Sequence, residues 1–193
     1  MTSISITLRT VYAIALALIA GQAITLLLFG QPTICECGMI KLWEGVVASE
    51  GNSQHVTDWY TYSHIVHGLI FYGLLAWMLP AVPLRVRLLL ALGIEVAWEV
   101  LENTPIVIDH YRQQALAAGY SGDSILNSLM DTAWMITGFL FAWRMHTWAS
   151  IAAIIVLELF VLYMIRDNLT LNVVNLVYPS TSISEWQLQG GIK

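Results

Sequence analysis

The sequence predicts an all-α membrane protein, a polytopic bundle of about five transmembrane helices. Three observations predict it. Hydrophobic residues make up 58% of the 193 residues and charged residues only 11%, against about 25% charged in soluble domains. So few charges cannot coat a water-facing surface of this size, whereas lipid tails accept apolar faces. Five stretches approach the roughly 20 mostly apolar residues that span a bilayer. Eight Trp and eight Tyr suit interfacial belts, where a ring stays apolar and its N–H or O–H stays wet. The net charge of −5 leaves no basic footprint for nucleic acid, so membrane lipid is the expected surrounding.

The first span is 11–29. It follows a single basic residue, Arg9, and exceeds the roughly 7–15 apolar residues of a signal-peptide core. No A-x-A-like cleavage site follows it, so it reads as a retained helix. The second span is 63–79, closed by Pro80 and Pro83, which cannot continue a helix. The third, 86–101, is flanked by Arg85 and interrupted by Glu95 and Glu99. The fourth and fifth are 125–143 and 148–165. Tight turns at 80–85 and 144–147 lie on one side, and the longer segments 30–62, 103–122 and 166–193 on the other. Within the second of these, 106–118 has the pattern of a short interfacial helix. Nothing repeats, so 1–193 reads as a single membrane domain.

Orientation follows Lys and Arg near the helix ends. Arg9, Arg85, Arg87 and Arg144 sit on the short-loop side; Lys41, Arg112, Arg166 and Lys193 sit on the long-loop side. The higher density on the short loops places the N-terminus in the cytoplasm and the C-terminus in the periplasm. Cys35 and Cys37 are one residue apart. A disulfide between them would close a very small ring, and zinc would need two more ligands from elsewhere, so the pair reads as structurally incidental.

Alternating helix direction collects the polar residues at one face. The second helix opens with Asp58, His64 and His67. The third ends with Glu95, Glu99 and Glu102. The fourth opens with Asp123, Asn127 and Asp131, and the fifth ends with Arg166, Asp167 and Asn168. His64 and His67 are neighbours on one helix surface. Glu95, Glu99 and Glu102 follow i, i+4, i+7, a single stripe. At about 1.5 Å per residue, Asp131 lies roughly 12 Å deeper than Asp123. Each carboxylate at mid-helix depth costs roughly 2.5–3.5 kcal/mol on insertion scales. Glu95, Glu99, Asp131 and Glu158 therefore need protonation, a partner, water or a metal.

Bland readings stand beside these. Asp123 and Ser124 can simply cap the fourth helix. The histidines can be packing residues, the glutamates a structural ion-pair network, and Glu158 a packing partner. Trp98, Trp134 and Trp143 read as lipid-facing or core aromatics. Asn168-Leu-Thr fits a glycosylation sequon but hugs the membrane end.

Several stretches resemble a bacterial family of small multi-pass inner-membrane proteins with no assigned function. They are Cys37-Gly-Met-Ile-Lys-Leu-Trp-Glu-Gly, Asn52-Ser-Gln-His-Val-Thr-Asp-Trp-Tyr-Thr and Ser63-His-Ile-Val-His-Gly. Glu95-Val-Ala-Trp-Glu-Val-Leu-Glu-Asn, Gly122-Asp-Ser-Ile-Leu-Asn-Ser-Leu-Met-Asp and Arg166-Asp-Asn-Leu-Thr-Leu-Asn carry the same likeness. It implies the inner membrane of a Gram-negative cell and no mechanism. A looser resemblance is to VanZ-like proteins, in which His64/His67, Glu95/Glu99, Asp123/Asn127 and Gly138 would correspond. The extra Glu102 and the long loop after it depart from that pattern.

Two functions compete. In the first, His64, His67, Glu102 and Asp123 hold a divalent metal ion, and Glu99, Asp131 and Arg166 act on a lipid or lipid-linked substrate. A held ion would make a nucleophile of its bound water, and Arg166 or Arg112 would fork onto a phosphate. No H-E-x-x-H, G-x-S-x-G or P-loop is present. In the second, the protein is an accessory or assembly subunit with a membrane partner, or a proton- or solute-handling protein, and the polar stripes fix helix register or form a path.

Overall fold

The computed structural model describes residues 6–189, and among them it contains eight helices and no strand. They are α1 (Leu8–Leu28), α2 (Thr61–Met78), α3 (Leu84–Glu102), α4 (Pro105–Tyr111), α5 (Ile125–Arg144), α6 (Thr147–Ile165), α7 (Leu169–Val177) and α8 (Thr181–Leu188). The five expected spans correspond to α1, α2, α3, α5 and α6, with ends displaced by at most three residues. Three of these are long and apolar enough to cross a membrane: α1, α5 and α6, with mean hydropathies of 2.2, 1.3 and 2.3. Helices α2 and α3 are of similar length, 18 and 19 residues. Their His, Arg and Glu residues lower their hydropathy, among them His64 and His67 on α2 and Glu95, Glu99 and Glu102 on α3.

Helix α5 is the hub and touches α1, α2, α3 and α6. Its Met135 and Phe139 are fully enclosed and pack with Ala91 and Leu92 of α3. Helices α1 and α6 leave most of their apolar surface outside the bundle, as Leu16, Ile24, Ile151, Val156 and Leu159 show. Such faces suit lipid rather than water. Helices α2 and α5 cross at two glycines. A Cβ at Gly68 would run into the Met135 carbonyl, and one at Gly138 into the Ile65 carbonyl. Small residues permit this backbone contact between membrane helices. It draws His64, one turn before Gly68, towards Asp131, two turns before Gly138.

The segment between α1 and α2 is irregular but tied down. Glu44 N–H donates to the Thr57 carbonyl at 2.9 Å and Val56 N–H to the Lys41 carbonyl at 3.1 Å. The segment also closes the start of α5. Ile125 and Leu126 donate their free helix N–H groups to the Pro32 and Thr33 carbonyls at 2.8 and 3.1 Å. Ser124 is the N-cap, its hydroxyl accepting from Asn127 N–H. Of the two residues expected to cap this helix, Asp123 is therefore turned to other work.

The reading of the cysteines is corrected: Cys35 and Cys37 form a disulfide, with Cα atoms 5.2 Å apart. A turn brings them together. Gly38 N–H bonds back to the Cys35 carbonyl at 2.9 Å, and Gly38 itself takes a φ of 74°, which glycine adopts without a Cβ penalty. The expected helix over 106–118 is shorter, ending at Tyr111. Beyond it Arg112 Nε takes the Tyr120 carbonyl at 2.7 Å and holds a run of turns instead. Helices α7 and α8 were not expected. Asn168, the residue of the sequon, is the N-cap of α7, and its side chain accepts from Leu171 N–H at 2.9 Å. Glu158 caps the same helix, accepting from Leu169 and Thr170 N–H at 3.1 and 3.0 Å.

Candidate functional site

The starts of α2 and α5 and the end of α3 meet at one end of the bundle. There α2 presents His64 and His67 on one face, and α3 answers with Glu95 and Glu99, one turn apart. His64 Nδ1 stands 2.7 Å from Glu95 Oε1 and 3.3 Å from Glu99 Oε1. His67 Nδ1 stands 3.1 Å from Glu95 Oε2. From α5, Asp131 Oδ2 lies 3.8 Å from His64 Nε2. Glu95, Glu99 and Asp131 are at most 4% exposed, so bulk water does not compensate their charge.

Hydrogen bonding orders the cluster from below. Ser128 donates its hydroxyl to Glu99 Oε2 at 2.7 Å. Gln22 of α1, fully buried, donates to the Ser128 hydroxyl and carbonyl at 2.7 and 3.1 Å. It accepts from the Thr132 hydroxyl at 3.0 Å. Two carboxylate oxygens are left over: Glu99 Oε1 and Asp131 Oδ1 are buried and accept no hydrogen bond. His64 Nδ1 is held against Glu95, and the other ring nitrogen, Nε2, faces Asp131. The carboxylate–histidine pairing is the one that orients metal-binding imidazoles.

Two overlapping triads have ligand atoms mutually within 4.8 Å: His64/Glu99/Asp131 and His64/His67/Glu95. Two ligands of one ion with bonds of about 2.0–2.2 Å stand roughly 3–4 Å apart, so the 3.8 Å between His64 Nε2 and Asp131 Oδ2 suits an ion better than a hydrogen bond. The donor set, one imidazole and two carboxylates, suits zinc, manganese or iron(II).

Above the cluster is a small open cavity of about 60 Å³, lined by His64, His67, Trp98, Glu102, Asp123 and Asp131 among others. Glu102 and Asp123 thus share this space but lie outside both triads. Asp123 accepts from Asn103 Nδ2 at 2.6 Å and from the Tyr120 hydroxyl at 2.9 Å. Burial outweighs these bonds and pushes its carboxyl up to about 6. Asp58, buried beneath Ser53 and Tyr60 N–H, is raised by the same cause. Helices α4 and α7 roof the cavity, joined where Tyr111 donates to Asn172 at 3.1 Å and His110 meets the Asn175 carbonyl at 3.2 Å.

The structure therefore brings together His64, His67, Glu99 and Asp131 of the expected residues, with Glu102 and Asp123 beside them. It sends Arg166 elsewhere. Arg166 donates to the Trp186 carbonyl at 2.7 Å and lies over the Trp186 ring at 5.2 Å. Arg112 is engaged with Tyr120 and Asp109. No Lys or Arg lines the cavity among the described residues. Asn127 also leaves the expected stripe and donates to the His55 carbonyl at 2.9 Å. Sequence reasoning missed Gln22, Ser128 and Thr132. Gln22 had left a signal, a lone amide deep in an otherwise apolar helix.

An all-helical protein with three membrane-length apolar helices and a buried His/Glu/Asp cluster that can hold a metal ion is the class these features define. The chain belongs to the family described as "Protein of unknown function (DUF2585)", whose model matches residues 26–189. It is similar to the UPF0314 protein of Sphingopyxis alaskensis, 53% identical over 94% of this chain and 97% of that one. It is also similar to the UPF0314 proteins of Rhizobium meliloti (55% identical, 89% and 87% covered) and Agrobacterium fabrum (52% identical, 91% and 89% covered). These matches do not support the looser likeness to VanZ-like proteins. No solved structure matches.

Proposed function

We propose that this is a five-span inner-membrane protein that binds one divalent cation at His64, Glu99 and Asp131 and uses it on a lipid or lipid-linked ester. Its N-terminus is cytoplasmic and its C-terminus periplasmic, so the cavity opens at the outer leaflet. The observation that carries the reading is the buried triad of His64, Glu99 and Asp131, whose ligand atoms lie within 4.8 Å of one another while Glu99 Oε1 and Asp131 Oδ1 accept no hydrogen bond. Unpaired buried acceptors of this kind cost roughly 1–3 kcal/mol each, more when charged, and a cation removes that cost.

A bound ion lowers the pKa of its water and makes a nucleophile near neutral pH. In ester hydrolysis Glu102, a carboxylate lining the same cavity, would take the proton of the attacking water. The water oxygen would bond to the acyl carbon or phosphorus as the ester C–O or P–O bond breaks, and Glu102 would return the proton to the leaving alcohol. His67 and Trp98, 6.2 Å apart and edge to face, line the cavity between α2 and α3 and supply an apolar wall for a lipid chain. Arg166 has no part in this reading.

Metal analysis of the detergent-purified, oxidised protein after loading with zinc or manganese tests it. One equivalent is expected, lost in His64→Ala and in Asp131→Asn. A folded wild type that binds no ion refutes it. One observation favours a second reading: His64 and His67 already pair with Glu95 at 2.7 and 3.1 Å. A metal-free protein would leave these as an ion-pair network that fixes helix register in an accessory subunit or carries protons. Membrane-impermeant thiol labelling of Gln113→Cys and Arg144→Cys, in a Cys35→Ser/Cys37→Ser background, tests orientation. Position 113 is expected to react from outside; reaction at 144 inverts the topology.

A further inference from the structure

The Cys35/Cys37 pair plays no part in the cluster between the helices, yet it does not stand alone. A ring nitrogen of His55 lies within 4.8 Å of both sulfurs. The His55 side chain is fully enclosed, and its Nε2 has no hydrogen-bond partner. Its Nδ1 is met by Lys41 N–H at 3.4 Å. Glu44 Oε2 stands 3.8 Å from Nε2. Gly51 leaves room beside both groups: a Cβ there would lie 2.9 Å from Glu44 Oε2 and 3.2 Å from His55 Nε2. The unpartnered Nε2 is the nitrogen an imidazole would offer to a metal.

We propose that, once the disulfide is reduced, Cys35, Cys37 and His55 bind a thiophilic cation of the zinc class. Two thiolates and an imidazole are a soft-to-borderline donor set that zinc favours, with a fourth position left for water or the Glu44 carboxylate. Access runs past the exposed Cys37, since the His55 ring is enclosed. The three residues, with Lys41 and Glu44, line an open groove of about 1140 Å³ on the face that carries the long loops. Cys37 is exposed while Cys35 is 5% exposed, so an attacking thiol reaches the Cys37 sulfur first.

The chemistry is redox-gated. Oxidised, the two sulfurs are bonded to each other and only His55 remains as a strong ligand. A dithiol donor supplies two electrons and two protons, its own thiols become a disulfide, and Cys35 and Cys37 become thiols. Cation binding then releases the two thiol protons.

The test uses full-length protein in detergent carrying His64→Ala, the residue common to both triads, so that the cluster between the helices does not contribute. The oxidised and the anaerobically reduced, desalted forms are titrated with zinc against a chromophoric chelator, and with cobalt(II) to read thiolate-to-metal charge-transfer absorption. One equivalent is expected in the reduced form alone. Cys37→Ser, at an exposed position, is expected to abolish it, and His55→Asn to weaken it at least about 10-fold. Equal zinc binding by the oxidised and reduced forms overturns the proposal. So does an unchanged cobalt charge-transfer band in Cys37→Ser. If instead the inner cluster binds no metal in otherwise wild-type protein, only the reading under Proposed function fails.

Discussion

Replacing Gln22 with Met tests both the packing and the site. Met keeps the unbranched stem and nearly the volume of Gln, so no cavity forms, but it removes two donated bonds and one accepted bond between α1 and α5. Hydrogen bonds between membrane helices average about 0.6 kcal/mol and reach about 1.7. Three of them therefore sum to about 2 kcal/mol. At this chain length about 1 kcal/mol moves the melting temperature by roughly 2–4 °C, so a fall of about 4–8 °C is expected by circular dichroism in detergent. The second readout is cation affinity. Without Gln22 the Ser128 hydroxyl, which bonds Glu99 Oε2 at 2.7 Å, loses its own anchor. Groups that orient ligands in this way are worth about 10–100-fold in affinity, and a loss near the lower end is expected. An unchanged melting temperature would refute the energetic argument. A lowered melting temperature with unchanged affinity would refute the relay.

At the helix crossing, Gly138→Ala should cost about 1–3 kcal/mol, because the new methyl meets the Ile65 backbone rather than a yielding side chain. Gly21→Ala, with nothing within 4 Å of its Cβ, should be neutral or stabilise by up to about 1 kcal/mol; thermal unfolding compares the two. Asp123 and Asp167 are each raised to about 6, chiefly by burial, from an ordinary value of 3.8. The folded state therefore holds these protons more tightly than the unfolded chain does, and stability falls as pH rises from about 4 to about 6. Two pKa units correspond to about 3 kcal/mol, so Asp123→Asn should exceed wild type by up to that amount at pH 7 and converge with it near pH 4. Denaturant titrations at the two pH values check the convergence. Glu158→Gln should loosen α7, because a neutral amide accepts less strongly from Leu169 and Thr170 N–H; faster proteolysis after residue 168 is the expected readout.

Much of the architecture was legible in the sequence. Apolar runs long enough for a bilayer gave five helices and their boundaries to within three residues. Alternating direction then placed His64, Glu95, Glu99, Glu102, Asp123 and Asp131 at one end, because short turns force neighbouring helices to run in opposite senses. These are local facts, set by hydropathy, helical period and loop length. Rotation about each helix axis was not local. Whether Asn127 faces the cavity or the His55 carbonyl depends on how α5 sits against a loop some seventy residues earlier. The direction of Arg166 was hidden for the same reason, since its partner Trp186 belongs to a short helix with no apolar period long enough to read. Pairing of Cys35 with Cys37, and the arrival of His55 beside them, needed the folded path of 30–60, which no periodicity describes. Composition and period determine what lies in the membrane and at which end. Only packing, through contacts such as Gly68 against Met135 and Gln22 against Ser128, decides which polar atoms meet.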